Sequence, residues 1–130
     1  MELKDLISKN YDKYSFGEFI ARRRKALGLS LRSVAQDLDV SPPYLADIEK
    51  GNRAAPKNHL DKLIASLQIQ PSELDDFYDM AHATHGYFYE FEEYLNTNKY
   101  ARIALRLAKN KNLSDEAWEK IINQILEDTN

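Results

Sequence analysis

The chain has 130 residues, enough for one domain with a real core or for a small domain with an appendage. Its formal charge of −3 is unevenly spread: residues 15–70 carry nine Lys/Arg against six Asp/Glu, whereas residues 71–98 carry seven acids and no Lys or Arg. The absence of cysteine excludes a disulfide framework, a thiolate nucleophile and a Cys-based zinc site. No apolar run approaches the roughly 18 residues of a membrane span, and MELKDLISKN lacks a signal-peptide core, so a soluble cytoplasmic protein is expected.

Residues 1–14 mix charges with Leu3, Leu6, Ile7, Tyr11 and Tyr14 and suit either a short amphipathic helix or a partly ordered arm. From Ser15 onward, Phe16, Phe19, Ile20 and Leu27 recur at three- and four-residue steps and mark a first helix, which Gly28 ends. Ser30 is placed to cap a second helix through its hydroxyl, with Leu31, Val34, Ala35 and Leu38 on one face. Asp39 and Val40 break that pattern. Ser41 then caps a third helix, Pro42 takes the first helical position where its missing N–H costs nothing, Leu45 and Ile48 form the buried pair, and Gly51 supplies the stop. Beyond the loop NRAAP, Leu60, Leu63, Ile64 and Leu67 stripe a fourth helix from Lys57 to Leu67. Ser72, Glu73, Leu74, Phe77 and Met80 read as a fifth.

Val, Ile and Thr never gather into alternating runs, so the expected fold is all-α: a five-helix bundle without a sheet. From about Ala83 a different pattern begins. Tyr87, Phe88, Phe91, Tyr94 and Leu95 recur in an acidic setting, Tyr100, Ile103, Ala104, Leu107 and Ala108 suggest another helix, and Ser114 with Asp115 and Glu116 opens a last one. Trp118, Ile121, Ile122, Ile125 and Leu126 give that helix a broad apolar face. The predicted division is an arm over 1–14, a bundle over 15–83 and a small helical C-terminal module over 84–130.

The stretch LGLSLRSVAQDLDVSPPYLADIEKG, Leu27 to Gly51, resembles the helix-turn-helix of the phage repressor and Cro type, the Xre family of bacterial and phage DNA-binding regulators. Small Ala35 stands where two helix backbones approach, Val40 plugs the turn, and SPPYLADIEKG is similar to the family's recognition helix with its Glu-x-Gly ending. The likeness runs from about Phe16 to about Leu74. Asp39 occupies a turn position where the family usually has Gly, and Asp tolerates the left-handed conformation better than most residues. Within the basic run Arg22, Arg23, Arg24 and Lys25, a solvated face is expected for at least one or two of the four, and the resemblance implies that Arg24 pairs with Glu49.

DNA recognition needs donors that hold phosphates and side chains that reach base edges. On the third helix Pro42, Pro43, Tyr44 and Asp47 fall opposite the Leu45/Ile48 face and are the base-contact candidates. Prolines offer apolar contact suited to a thymine methyl, Tyr44 can donate or accept, and Asp47 can accept from cytosine N4. Such a face predicts few direct hydrogen bonds to bases and more reliance on phosphate positioning and DNA shape. Arg32, Ser41, Lys50, Asn52, Arg53 and Lys57 are the phosphate-contact candidates, singly ordinary surface residues but together a cluster around the helix-turn-helix.

Asp79, His82 and His85 in DMAHATH have a spacing that permits ligands on one helical face, yet without Cys and with Gly86 ending the helix they read as exposed polar residues; no metal and no cofactor is expected. His59 is expected on the fourth helix's surface. No nucleophile elbow, phosphate-binding glycine loop or metalloprotease motif occurs, so an enzyme has no positive support. Phe88, Phe91, Tyr94, Trp118, Ile122 and Ile125 are candidates for a self-complementary interface between two chains, the alternative being that they pack the tail onto the bundle. The expected function is a sequence-specific DNA-binding transcriptional regulator, a repressor acting as a homodimer at an inverted repeat in double-stranded DNA. The alternative is an antitoxin-like protein whose C-terminal module takes a protein partner while the helix-turn-helix autoregulates.

Overall fold

The computed structural model describes residues 1–7, 9–85 and 90–128, and every regular element among them is helical. The chain divides into two compact units, one spanning Tyr11–Tyr89 and the other combining Met1–Asn10 with Glu90–Asn130.

The first unit holds α2 (Ser15–Ala26), α3 (Leu31–Asp37), α4 (Pro42–Glu49), α5 (Lys57–Ser66) and α6 (Leu74–His85). Local chemistry sets most of the boundaries. The Ser30 hydroxyl accepts from the Ser33 N–H at 3.0 Å and the Ser41 hydroxyl from the Tyr44 N–H at 3.2 Å, each satisfying a donor that the first helical turn leaves unpaired. Ahead of α2 the Asp12 carboxylate accepts from the N–H groups of Tyr14 and Ser15, at 2.9 and 3.0 Å. These bonds, the Tyr14 one foremost, hold its pKa below the ordinary value. The fifth predicted helix begins later than its apolar pattern suggested. Pro71–Glu73 form a single 3₁₀ turn, closed by the Glu73 carboxylate accepting from the Gln70 N–H at 3.0 Å, and α6 follows from Leu74.

The helices end in one recurrent way. After α2, α3, α4 and α5 a residue turns left-handed, at Gly28, Asp39, Gly51 and Gln68, and the next N–H reaches back five residues, as from Val40 to the Ala35 carbonyl at 3.0 Å. Phe16, Ile20, Leu38, Leu45, Ile48, Leu63, Leu67 and Phe77 are fully buried between these helices, and Phe77 meets Phe16 edge to face at 5.2 Å. Gly17 lies inside α2, where a β-carbon would come within 2.3 Å of the Glu49 carbonyl oxygen; only glycine lets α2 and the end of α4 approach so closely.

The second unit comprises α1 (Leu3–Ile7), α7 (Glu92–Thr97), α8 (Lys99–Asn110) and α9 (Asp115–Glu127), with α1 against α9. Asn98 and Ser114 cap α8 and α9 through side-chain oxygens, at 3.0 and 3.2 Å from the Ala101 and Ala117 N–H groups. The first residues are therefore a short helix belonging with the C-terminal helices, and Tyr11 already packs on the core of the bundle. Among the described residues of the second unit only Ala108 is buried.

Candidate nucleic-acid interface

Helices α3 and α4 form a helix-turn-helix whose turn is Leu38–Ser41. Ala35 is fully buried at their junction, Val40 packs into the core, and Asp39 carries the left-handed turn at φ 57°. The unit is braced from behind by charge. Arg24 on α2 holds Glu49, the last residue of α4, through two parallel bonds, Nε to Oε2 at 2.7 Å and Nη2 to Oε1 at 3.1 Å, and donates through Nη1 to the Leu29 carbonyl at 3.1 Å. Both side chains are only 12% exposed. Donation of these hydrogen bonds to the Glu49 carboxylate holds the Arg24 guanidinium above its ordinary pKa. Sequence reasoning missed a second brace. Arg23 pairs with Glu73 and donates to the Leu67 and Gln68 carbonyls at 3.3 Å each, tying α2 to the α5–α6 connection. The Gln70 backbone N–H first, and Arg23 second, hold the Glu73 carboxyl below its usual range.

Of the remaining basic run, Arg22 and Lys25 are exposed. Ser66 on α5 donates to the Asp37 carboxylate at 2.8 Å, fixing the end of α3. Around α4, Arg32, Ser41, Lys50, Asn52, Arg53 and Lys57 are all exposed, although the Ser41 oxygen is already engaged in its cap.

The four base-contact candidates do not form one uniform outward face. Pro43 is exposed, while Pro42, Tyr44 and Asp47 are half-buried, and the Tyr44 ring packs against the core. The helical wheel put Tyr44 opposite Leu45 and Ile48; α5 lies close enough to cover it. His59 of α5, expected on the surface, is half-buried and meets the Tyr44 ring edge to face at 5.6 Å. Burial first, and the Lys62 charge second, lower its pKa. The Arg53 guanidinium stands over the same Tyr44 ring, 4.5 Å from its centroid.

Asp79 on α6 has a carboxyl held above its usual range by desolvation, then by Asp75 and Asp76. No group of three or more potential metal ligands gathers among the described residues, and the His85 side chain lies outside them. In the second unit Phe91 and Tyr94 are exposed, Trp118 and Ile122 are half-buried, and Ile125 is 67% exposed; Phe88 lies outside the described residues.

A Helix-turn-helix family profile matches residues 20–74, which span α3, α4 and α5 and the C-terminal half of α2. The control protein C.BamHI of Bacillus amyloliquefaciens is 30% identical over 63 residues, covering 48% of this chain and 78% of that protein. The chain belongs to the Xre-type helix-turn-helix family. As a member of that family it is a DNA-binding transcriptional regulator. Among solved structures, the SinR protein/SinI protein complex is similar with 22% identity and a TM-score of 0.39, covering 84% of this chain and 92% of the matched one. No described helix is long and apolar enough to cross a membrane.

Proposed function

We propose that the protein is a repressor that binds an inverted-repeat operator as a homodimer, the bundle contacting DNA and the second unit joining two copies. The observation that carries this reading is the pairing of a braced helix-turn-helix, ringed by exposed Arg32, Lys50, Arg53 and Lys57, with a helical unit whose apolar side chains remain open. The cations supply phosphate contacts that fix register; Pro43 supplies apolar contact at a base edge, and half-buried Pro42, Tyr44 and Asp47 supply less of the reading. Two-fold symmetry then sets the half-site spacing. Occupation of promoter DNA accounts for repression without chemistry.

Selection of bound duplexes from a random pool, with the full-length chain, tests the proposal. An enriched palindrome is the expected result, and enrichment of no site overturns it. Charge reversal of Lys50 and Arg53 together weakens binding to every duplex and lowers the slope of log affinity against log salt by about 2. An antitoxin-like role is distinguished by mass: the chain then purifies with a stoichiometric second protein on its α8–α9 face rather than as a dimer.

A further inference from the structure

Tyr44 is the third residue of α4, with its backbone N–H bonded to the Ser41 cap at 3.2 Å, so its ring leaves a fixed first turn. The ring is half-buried against the core and is met edge to face by His59 at 87°. Arg53 is exposed in the loop between α4 and α5, outside any helix, yet its guanidinium lies 4.5 Å from the Tyr44 centroid. We infer that Tyr44 is a positioning residue: its ring, steadied by His59, lays Arg53 out in advance for a DNA phosphate at the end of the recognition helix.

The physical argument is one of preorganisation. A free arginine on a loop samples many rotamers, and a phosphate contact made from that ensemble loses their entropy on binding. A guanidinium resting on an aromatic face has already lost part of that freedom, while its edge N–H groups stay available to a phosphate. Tyr44 then acts chiefly through its ring and not through its hydroxyl, which leaves it little part in reading bases. This rests on the DNA-contact role proposed for Arg53.

Binding of the full-length chain to its selected duplex, measured across a salt series, tests the inference with four variants. Arg53→Ala is expected to weaken binding about three- to tenfold and to lower the salt slope by about 1. Tyr44→Leu should weaken binding by no more than Arg53→Ala does, Tyr44→Phe should stay within about twofold of wild type, and the double variant should be no weaker than Arg53→Ala alone. A merely structural loss at Tyr44 would instead add to that of Arg53→Ala in the double variant. Losses that multiply in the double variant, or a Phe variant as weak as the Leu one, overturn the inference. A second measurement is independent of DNA and of how well the Leu variant folds: the Tyr44 ring proton resonances of the free protein should move in Arg53→Ala, and unmoved resonances overturn the stacking. If the wild-type chain enriches no duplex, the DNA reading falls and takes this inference with it. If the wild type binds and Arg53→Ala binds equally well, the inference alone falls.

Discussion

Removal of Arg24 leaves the Glu49 carboxylate mostly out of water and without the fork that neutralises it, so the cost is the desolvation of an orphaned charge and not the small worth of a surface pair. Arg24→Ala and Glu49→Ala are each expected to lower stability by about 2–3 kcal/mol in urea unfolding, less than at a fully buried pair because both side chains keep some contact with water. The double variant should cost less than the sum, since the second substitution removes the orphan. His59 brings a pH dependence of definite sign. Its folded pKa lies below the ordinary 6.5, so on acidification the unfolded chain takes the proton first. This contribution is complete well above pH 6.5 and is lost as pH falls through that value toward the lower folded pKa. The wild-type thermal midpoint should drop more between pH 7.5 and 5.5 than that of His59→Phe, which keeps an edge against Tyr44 but cannot titrate. Equal drops would show that His59 is not depressed by its surroundings.

At the scale of elements, Gly17 inverts an ordinary rule. Alanine at an exposed position inside a helix stabilises relative to glycine by roughly 1 kcal/mol, but a methyl here would press into the backbone carbonyls of Ile48 and Glu49. Gly17→Ala is therefore expected to destabilise by about 1–3 kcal/mol net in denaturant unfolding; a stabilised variant would mean a wider α2–α4 approach. The contrast between this glycine and the serine caps shows what can be read from a sequence. Ser30, Ser41 and Ser114 bond within three residues, so their helix starts were legible, as were the turn at Asp39 and the stop at Gly51. The left-handed ends at Gln68 and Asn112 were missed, although each stands just before an apolar residue, Ile69 or Leu113, in the same pattern as Asp39 before Val40. The pairing of Arg23 with Glu73, fifty residues apart, and the cover that His59 gives Tyr44 depend on how separate helices meet, which periodicity along one helix does not encode. Gly17 did carry a signal: a glycine within an otherwise good helical stretch marks a close backbone approach.

At the scale of the molecule, the two units are stabilised differently. Among the described residues, the bundle seals fifteen buried apolar side chains into one cluster, whereas the second unit leaves Tyr94 57% exposed, Leu107 52% and Ile125 67%. Helices of twelve and thirteen residues with apolar faces open to water gain little from folding alone, because most helical stability comes from covering such a face. If a second copy supplies the cover, as proposed, association and folding of this unit are linked, and its stability must rise with protein concentration by mass action. Light scattering of the full-length chain should then give twice the chain mass, and the thermal midpoint should climb as concentration is raised a hundredfold. Leu107→Asp with Ile125→Asp should yield a monomer whose midpoint no longer depends on concentration and whose bundle retains its Arg24–Glu49 brace. Its affinity for a palindromic duplex should fall by at least about tenfold, toward that for a single half-site, since the second half-site is no longer held at high effective concentration. A variant that remains dimeric, or binds the palindrome as tightly as the wild type, would place the contact between copies elsewhere.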